Sequence, residues 1–380
     1  MSESTTIVSV KFVLRYAVVI VVLLTLGGIL VLFNNDRIVN SDMLGYFIAE
    51  SSAVSMKTAK STNSNRFIQL HISDAVGLGN QMYRLASLYG IGRIVNRKPS
   101  LNSAVTFNQI LAKELRILFP KLFDTVTFNT IANESVTHTA FGSDCCTYAD
   151  PKIIHETNTT WLIMDGNYYQ SYKYFNAFKE EILAMFEFGP KINAAVRTYV
   201  SQLFGFDKFH KLCVHIRRGD FLGHQHLESR TDFIVPAVSR VFEFLHNESH
   251  FNDLSLVFIG VEANFWNALN VTHNFKPYFN NIYMAKLASR GEDLAFGSTY
   301  CDSLLISASG STFAWWMAYL GKPTMAVFYN GQVNKHRNHS KDYHDYDMFP
   351  PEWHKLELNR TTRKVRFEKQ WNFELFKQWY

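Results

Sequence analysis

The chain has 380 residues, 47% of them hydrophobic and 19% charged, with a net charge of +5. With so small an excess, no basic run and no basic–aromatic stripe, nucleic acid is excluded as a partner, whereas a modestly basic cleft for a polyanionic small molecule is compatible. Four cysteines, Cys145, Cys146, Cys213 and Cys301, are too few for a disulfide scaffold and lack the C-x-x-C spacing of a zinc site. Cys213 falls in an apolar run and reads as a buried thiol. Cys145 and Cys146 are adjacent, so at most one can find an ordinary partner elsewhere, and the sequence reveals no pairing.

The amino terminus reads as a membrane anchor. Ala17 to Phe33 carries no charge, and as a helix it would span roughly 26 Å, enough for a thin bilayer of the early secretory pathway. Lys11 and Arg15 precede it, while Asp36 and Arg37 follow. The positive flank favours a cytoplasmic tail over 1–15, a transmembrane signal anchor over 16–33 and a lumenal remainder. A cleaved signal peptide is the rival; its apolar core is usually shorter, and no small-x-small site follows Phe33. Residues 34–65, rich in Ser, Asn, Thr and Ala, read as a stem. Sequons at Asn133, Asn158, Asn247, Asn270, Asn338 and Asn359 permit secretory passage.

The lumenal part opens with an alternating strand, Phe67 to Ile72, and the turn D-A-V-G-L-G-N-Q-M-Y-R at 74–84, leading into a helix to about Asn96 that Pro99 closes. Gly77 and Gly79 occupy the turn, where a missing Cβ lets a ligand approach the backbone; an ordinary tight turn explains them equally well. Met82 stands where a dinucleotide fingerprint needs its third glycine. Between 101 and 205 helical patterns cover 108–118 and 174–186, with a strand-like run over 161–164. From 211 the pattern alternates clearly. Strands at 211–216, 254–260, 282–284, 304–306 and 323–328 are interleaved with helices near 232–246, 261–270, 292–300 and 312–320. Repeated βα units mean a parallel, helix-covered sheet. The length beyond the stem suggests two domains.

Three constellations carry chemistry. V-H-I-R-R-G-D at 214–220 follows the apolar strand, where an α/β sheet meets its ligand. Guanidiniums there suit a phosphate. Strand alternation puts His215 and Arg217 on one face and Ile216 and Arg218 on the other, so Arg217 is the expected phosphate ligand. The bland reading is a charged turn; R-G-D as an adhesion tripeptide would need an exposed loop tip. In S-A-S-G-S-T-F at 307–313 a strand feeds a turn and a helix beginning near Thr312. Ser311 and Thr312 could serve a phosphate or simply cap the helix. Asp293, placed just before a short helix, could pair with guanine N1–H and N2–H, or could cap that helix.

Together these pieces resemble the α-1,2-fucosyltransferase family, glycosyltransferase family 11. G-L-G-N-Q-M from Gly77 to Met82, H-I-R-R-G-D from His215 to Asp220, the segment from Asp293 to Leu320 and P-P-E-W at 350–353 follow its motifs in order, over roughly 66–355. The resemblance implies a GT-B fold of two facing Rossmann-like domains, an acceptor-side domain over 66–205 and a donor-binding domain over 206–380. It further implies GDP-fucose as donor, a galactose-containing glycan as acceptor, inversion at the anomeric carbon and no metal. By the same resemblance Arg217 grips the β-phosphate, supported by His215 and Arg218, and Asp220 counts among the donor-binding residues. Ser311, Thr312 and Phe313 form the phosphate-facing turn, Asp293 binds guanine, and Asn80 reaches the donor from the opposite domain. Gly310 and the segment Ile259 to Trp266 depart from the family pattern, and the segment leaves local donor contacts and acceptor choice open. The D-x-D of metal-dependent glycosyltransferases occurs only at Asp345–Asp347, with no strand before it, and no carboxylate or thiolate completes a metal site around His215, His224 and His226. Asp74, His71, His224 and Glu228 remain equal candidates for a base. The competing functions are another GT-B fucosyltransferase, α-1,6 or protein O-linked, and a non-catalytic membrane-tethered glycan-binding protein.

Overall fold

The computed structural model describes residues 66–71, 76–131, 135–143, 145–222, 228–332, 344–372 and 374. The expected tail, anchor and stem lie outside them, as do Asp74, His224, His226 and the sequons at Asn133 and Asn338. Among the described residues no helix is long and apolar enough to cross a membrane.

The described chain is an α/β protein with two sheets. The first contains β1 (Phe67–Leu70), β2 (Lys98–Asn102), β3 (Thr127–Asn129), β4 (Val136–Thr139) and β5 (Trp161–Met164), in the order β3-β2-β1-β5-β4 with every pair parallel. The second contains β6 (His210–His215), β7 (Leu254–Ile259), β8 (Asn281–Ala285), β9 (Ser303–Ile306), β10 (Ala326–Asn330), β11 (His354–Leu358) and β12 (Val365–Glu368). Its order is β12-β11-β10-β9-β6-β7-β8, parallel except for the antiparallel β11–β12 pair. Strand β6 shows why its sequence reads as a continuous apolar run: Leu212 and Val214 pack into one core layer and Cys213 into the other, all fully buried.

Both sheets reverse strand order at one point. In the first, β1 lies between β2 and β5; in the second, β6 lies between β7 and β9. Connections leave these central strands in opposite directions and open a crevice at their carboxyl ends. Gly77 and Asn80 follow β1, His215 ends β6, and Ser311 follows β9.

One apolar core spans both sheets. The helix Leu78–Ile94 is buried along most of its length, because β1, β2, the segment 172–178 and the helix Thr312–Tyr319 all pack against it. Tyr83 lies 4.7 Å from Trp315 and 5.3 Å from Trp316, ring centre to ring centre, and Phe175 stacks on Trp316 at 5.5 Å. Trp315 Nε1 donates to the Met348 carbonyl at 2.7 Å. Trp315, Trp316 and Tyr319 are thus core residues and not sugar platforms. Truncating a buried indole costs on the order of 3–5 kcal/mol, so this cluster is a major part of what joins the halves.

The structure corrects several expectations. The first helix ends at Ile94, and Pro99 belongs to β2. The 174–186 pattern resolves into 3-10 turns at Tyr172–Tyr174 and Asn176–Phe178 followed by the helix Lys179–Met185. A further helix, Pro190–Phe204, starts with proline at its first turn and packs Tyr199 against Phe296 of the helix Arg290–Tyr300. Cys213 is not a free thiol: it is bonded to Cys301, 88 residues away, tying β6 to the end of the Arg290–Tyr300 helix. In the loop-entropy account a closure of that length is worth about 4–5 kcal/mol. Cys145 and Cys146 are bonded to each other.

Candidate active site

The crevice between the two switch points is a cleft of about 670 Å³. All the expected site residues line it: Asn80, His215, Arg217, Arg218, Asp220, Asp293, Ser311, Thr312 and Phe313.

At Gly79, which lines the cleft, the halves meet backbone to backbone. A Cβ on Gly79 would lie 2.6 Å from the Phe313 nitrogen and the Thr312 carbonyl carbon. The second glycine of the first turn therefore admits the opposing backbone, whereas Gly77 has open space beside it and lines the cleft. Contact at Gly79 brings Asn80 to the head of the Thr312–Tyr319 helix. Thr312 Oγ1 donates to Asn80 Oδ1 at 2.6 Å, and Gln170 Nε2 donates to the same oxygen at 3.1 Å. What Asn80 can still offer a ligand is its amide N–H groups. Ser311 is the N-cap of that helix, its hydroxyl accepting from Ala314 N at 3.3 Å. The neighbouring helix amino terminus remains a place of partial positive charge.

Alternation along β6 continues into the loop. Ile216 enters the core layer of Leu212 and Val214, while His215 turns to the other side, its ring 5.7 Å from Phe313. His215 is buried, and burial together with the Arg217 charge pushes its pKa down to about 3, so the imidazole is neutral at physiological pH. Its Nδ1 has no hydrogen-bond partner among the described residues. Arg217 is held from both ends: its backbone N–H donates to Ser229 Oγ at 2.8 Å, and Nη2 donates to Asp220 Oδ2 at 2.7 Å. Arg218 lies over the Phe265 ring at 4.4 Å and donates to the Ser229 carbonyl. Arg217 is thus the more available of the two guanidiniums, since Asp220 is 66% exposed and an exposed pair is worth at most about 1 kcal/mol.

Asp293 lies inside the helix Arg290–Tyr300 and does not precede it. Ser289 is the cap, accepting from Glu292 N, so the capping explanation for Asp293 falls away. Burial pushes the Asp293 carboxyl up to about 6, opposed by the Leu287 backbone N–H and reinforced by Glu292.

Several cleft residues escaped the sequence reading. Gly260, at the end of β7, has φ +76° and sits where a Cβ would meet the Ile216 carbonyl at 2.7 Å. Glu262 and Arg290 line the same side, Arg290 being paired with Glu114. Applying the carboxyl-end rule to β7 and β8, and not only to β6 and β9, would have found them. Tyr168, Gln170, Cys145, Cys146 and Met348 also line it. Of the base candidates, His71 is exposed and neither it nor Glu228 lines the cleft. Both acidic members of the D-x-D are buried and committed to lysines, Asp345 to Lys355 at 3.0 Å and Asp347 to Lys173 at 2.7 Å.

The model of the family described as Glycosyl transferase family 11 matches residues 37–357. A Caenorhabditis elegans galactoside 2-α-L-fucosyltransferase is 32% identical over 306 residues, covering 74% of this chain and 75% of its own. A second protein of the same name and organism is 28% identical, covering 75% and 78%. Among solved structures, NodZ α-1,6-fucosyltransferase soaked with GDP-fucose aligns with a TM-score of 0.46 at 10% identity, over 80% of this chain and 99% of its own. An Arabidopsis thaliana FUT1 variant in complex with GDP aligns with a TM-score of 0.45 at 13% identity, over 75% and 74%.

The raised Asp293 pKa makes a stability prediction. A carboxyl whose folded pKa exceeds its unfolded value contributes fully below the unfolded value, near 3.8, and loses that contribution as pH rises through about 6. Asp293→Asn should therefore gain stability relative to the parent between pH 4 and pH 7, as read from denaturant midpoints at both ends. A difference independent of pH would show that the carboxyl is not perturbed.

Proposed function

This chain belongs to glycosyl transferase family 11, and from that membership and the cleft chemistry we propose that it transfers L-fucose from GDP-fucose to a galactose hydroxyl of a glycan. The linkage in this reading is α-1,2, formed with inversion and without a metal ion, on a GT-B framework whose second sheet holds the nucleotide. The observation that carries it is the meeting of Arg217, Thr312 and Asn80 at the two switch points.

Departure of GDP puts negative charge on the β-phosphate. Arg217 can exchange its weak, exposed bond to Asp220 for a two-pronged bond to that phosphate. The amino terminus of the Thr312 helix adds partial positive charge from the opposite side, and the Asn80 amide adds a donor from the first sheet. Neutral His215 offers an N–H without bringing a charge that burial would penalise. Ionised Asp293 can accept both N1–H and N2–H of guanine, a pairing that adenine and uracil do not return. With these fixed donors absorbing the leaving-group charge, no metal is required. The sugar carbon becomes oxocarbenium-like, which lowers the demand on a base for the acceptor proton.

A lumenal address belongs to the same reading: a single-pass type II protein of the Golgi membrane, held by residues 16–33. The uncharged run Ala17–Phe33 supports it, as does the Cys213–Cys301 bond, which suits an oxidising compartment. The described sequon residues Asn158, Asn247, Asn270 and Asn359 are exposed and open to glycosylation. Glycosidase treatment of the cell-expressed protein should lower its apparent mass; an unchanged mass would contradict the lumenal address.

The activity itself is tested by incubating the purified protein with a panel of labelled sugar nucleotides and glycan acceptors in excess chelator. Fucose should pass from GDP-fucose to a galactose-terminated acceptor. Turnover only with added manganese would overturn the metal-free mechanism, and an α-1,6 or protein-linked product would overturn the linkage. Arg217→Lys keeps the charge and loses the fork, so kcat should fall about 10²-fold or more, with folding verified in parallel. A folded variant with near-normal turnover would put the phosphate elsewhere.

A further inference from the structure

The first-sheet wall of the cleft has a feature that the donor chemistry does not use. Cys145 and Cys146, in the segment that follows β4, are bonded to each other and line the cleft beside Tyr168 and Gln170, which follow β5. Cys146 is buried and Cys145 partly exposed, so the bridge presents an edge to the cleft. Arg84 lies over the Tyr168 ring at 5.5 Å and is itself fixed by two bonds to Asn167, through Nε to the carbonyl at 3.1 Å and through Nη2 to Oδ1 at 2.8 Å. Gln170 is buried. Its Nε2 is spent on Asn80, while its Oε1 lies 3.4 Å from Cys146 Sγ and 3.9 Å from Cys145 Sγ. With the bridge closed neither sulfur carries a proton, so this oxygen accepts nothing from them.

A bonded pair of sulfurs is a soft, polarisable surface without a hydrogen-bond donor, and a tyrosine ring is a flat apolar one. A pyranose has a matching face of C–H groups and a rim of hydroxyls. We propose that the Cys145–Cys146 disulfide and Tyr168 form the platform for the acceptor sugar, with Gln170 Oε1 accepting from one of its hydroxyls. The inference rests on the fucosyl-transfer reading and deepens it. Through Gln170 and Asn80 the platform is linked to Thr312, so an acceptor seated there lies beside the donor phosphate site. Reduction by a dithiol converts the bridge to two thiols while the reductant becomes its cyclic disulfide. Each new S–H can then donate to Gln170 Oε1 and compete with the sugar hydroxyl.

The test uses the unmodified protein. Dithiothreitol is added in the presence or absence of a galactose-terminated oligosaccharide, and freed thiols are alkylated and located by peptide mass spectrometry. The buried Cys213–Cys301 bond serves as internal reference. At an oligosaccharide concentration ten times its Kd, labelling of Cys145 and Cys146 should slow about tenfold, with GDP alone having no effect. Labelling unaffected by the oligosaccharide, or slowed only by GDP, would overturn the platform. As a second measurement, Cys145→Ala/Cys146→Ala should raise the acceptor KM about tenfold or more while GDP affinity stays within about twofold. An unchanged acceptor KM would overturn the proposal by itself. Failure of the unmodified protein to bind GDP would instead overturn the fucosyl-transfer reading, and the platform with it.

Discussion

The junction between the two walls of the cleft depends on how near Gly79 lets the two halves come. A single methyl group there would collide at 2.6 Å with the backbone of Thr312 and Phe313. Cβ atoms do not tolerate such contacts, so the helices Leu78–Ile94 and Thr312–Tyr319 could not keep their present separation. That separation sets the Thr312–Asn80 bond and seats Tyr83 against Trp315 and Trp316. A dense aromatic core then resists any relative shift of the sheets, because interiors packed to crystal density do not deform smoothly. The cleft is consequently a preorganised one, with donor groups from two sheets fixed before a ligand arrives.

The electrostatics follow from burial. Burial, with the Arg217 charge beside it, keeps His215 neutral, and burial holds Asp293 near the point of protonation. Only Arg217 combines a full charge with a partner, Asp220, that is exposed enough to surrender it cheaply. In the proposed transfer, that low cost would leave most of an arginine–phosphate interaction available.

Much of this was legible in the sequence where local and global signals agree. The run Lys211 to Ile216 sets Leu212, Val214 and Ile216 on one apolar face, so its strand and the turn of His215 away from Ile216 are read directly. Strands β2, β3 and β4 could not. They are short, and Pro99, Asn129 and His138 break the apolar pattern, so only pairing in the sheet defines them. The helix Pro190–Phe204 was missed because its buried face is narrow, reduced to Ile192 and Val196 with partial burial elsewhere. Asp293 reads as preceding its helix because the cap, Ser289, stands four residues upstream with no apolar period between them. The pairing of Cys213 with Cys301 joins a strand to a helix end 88 residues away, a distance that spacing rules do not address. The expected residues that line the cleft lie, Asp293 apart, just after β1, β6 and β9, where the motifs stand in the sequence; Gly260, Glu262 and Arg290, after β7 and β8, form no recognisable motif.

The most direct test of this account is an experimental structure of the protein with GDP. The β-phosphate should lie within hydrogen-bond distance of the Arg217 guanidinium, with the head of the Thr312 helix beside it. Arg217 should have left Asp220, and guanine should pair with the Asp293 carboxylate. GDP bound with its phosphates away from Arg217, or the Arg217–Asp220 pair intact beneath it, would contradict the account.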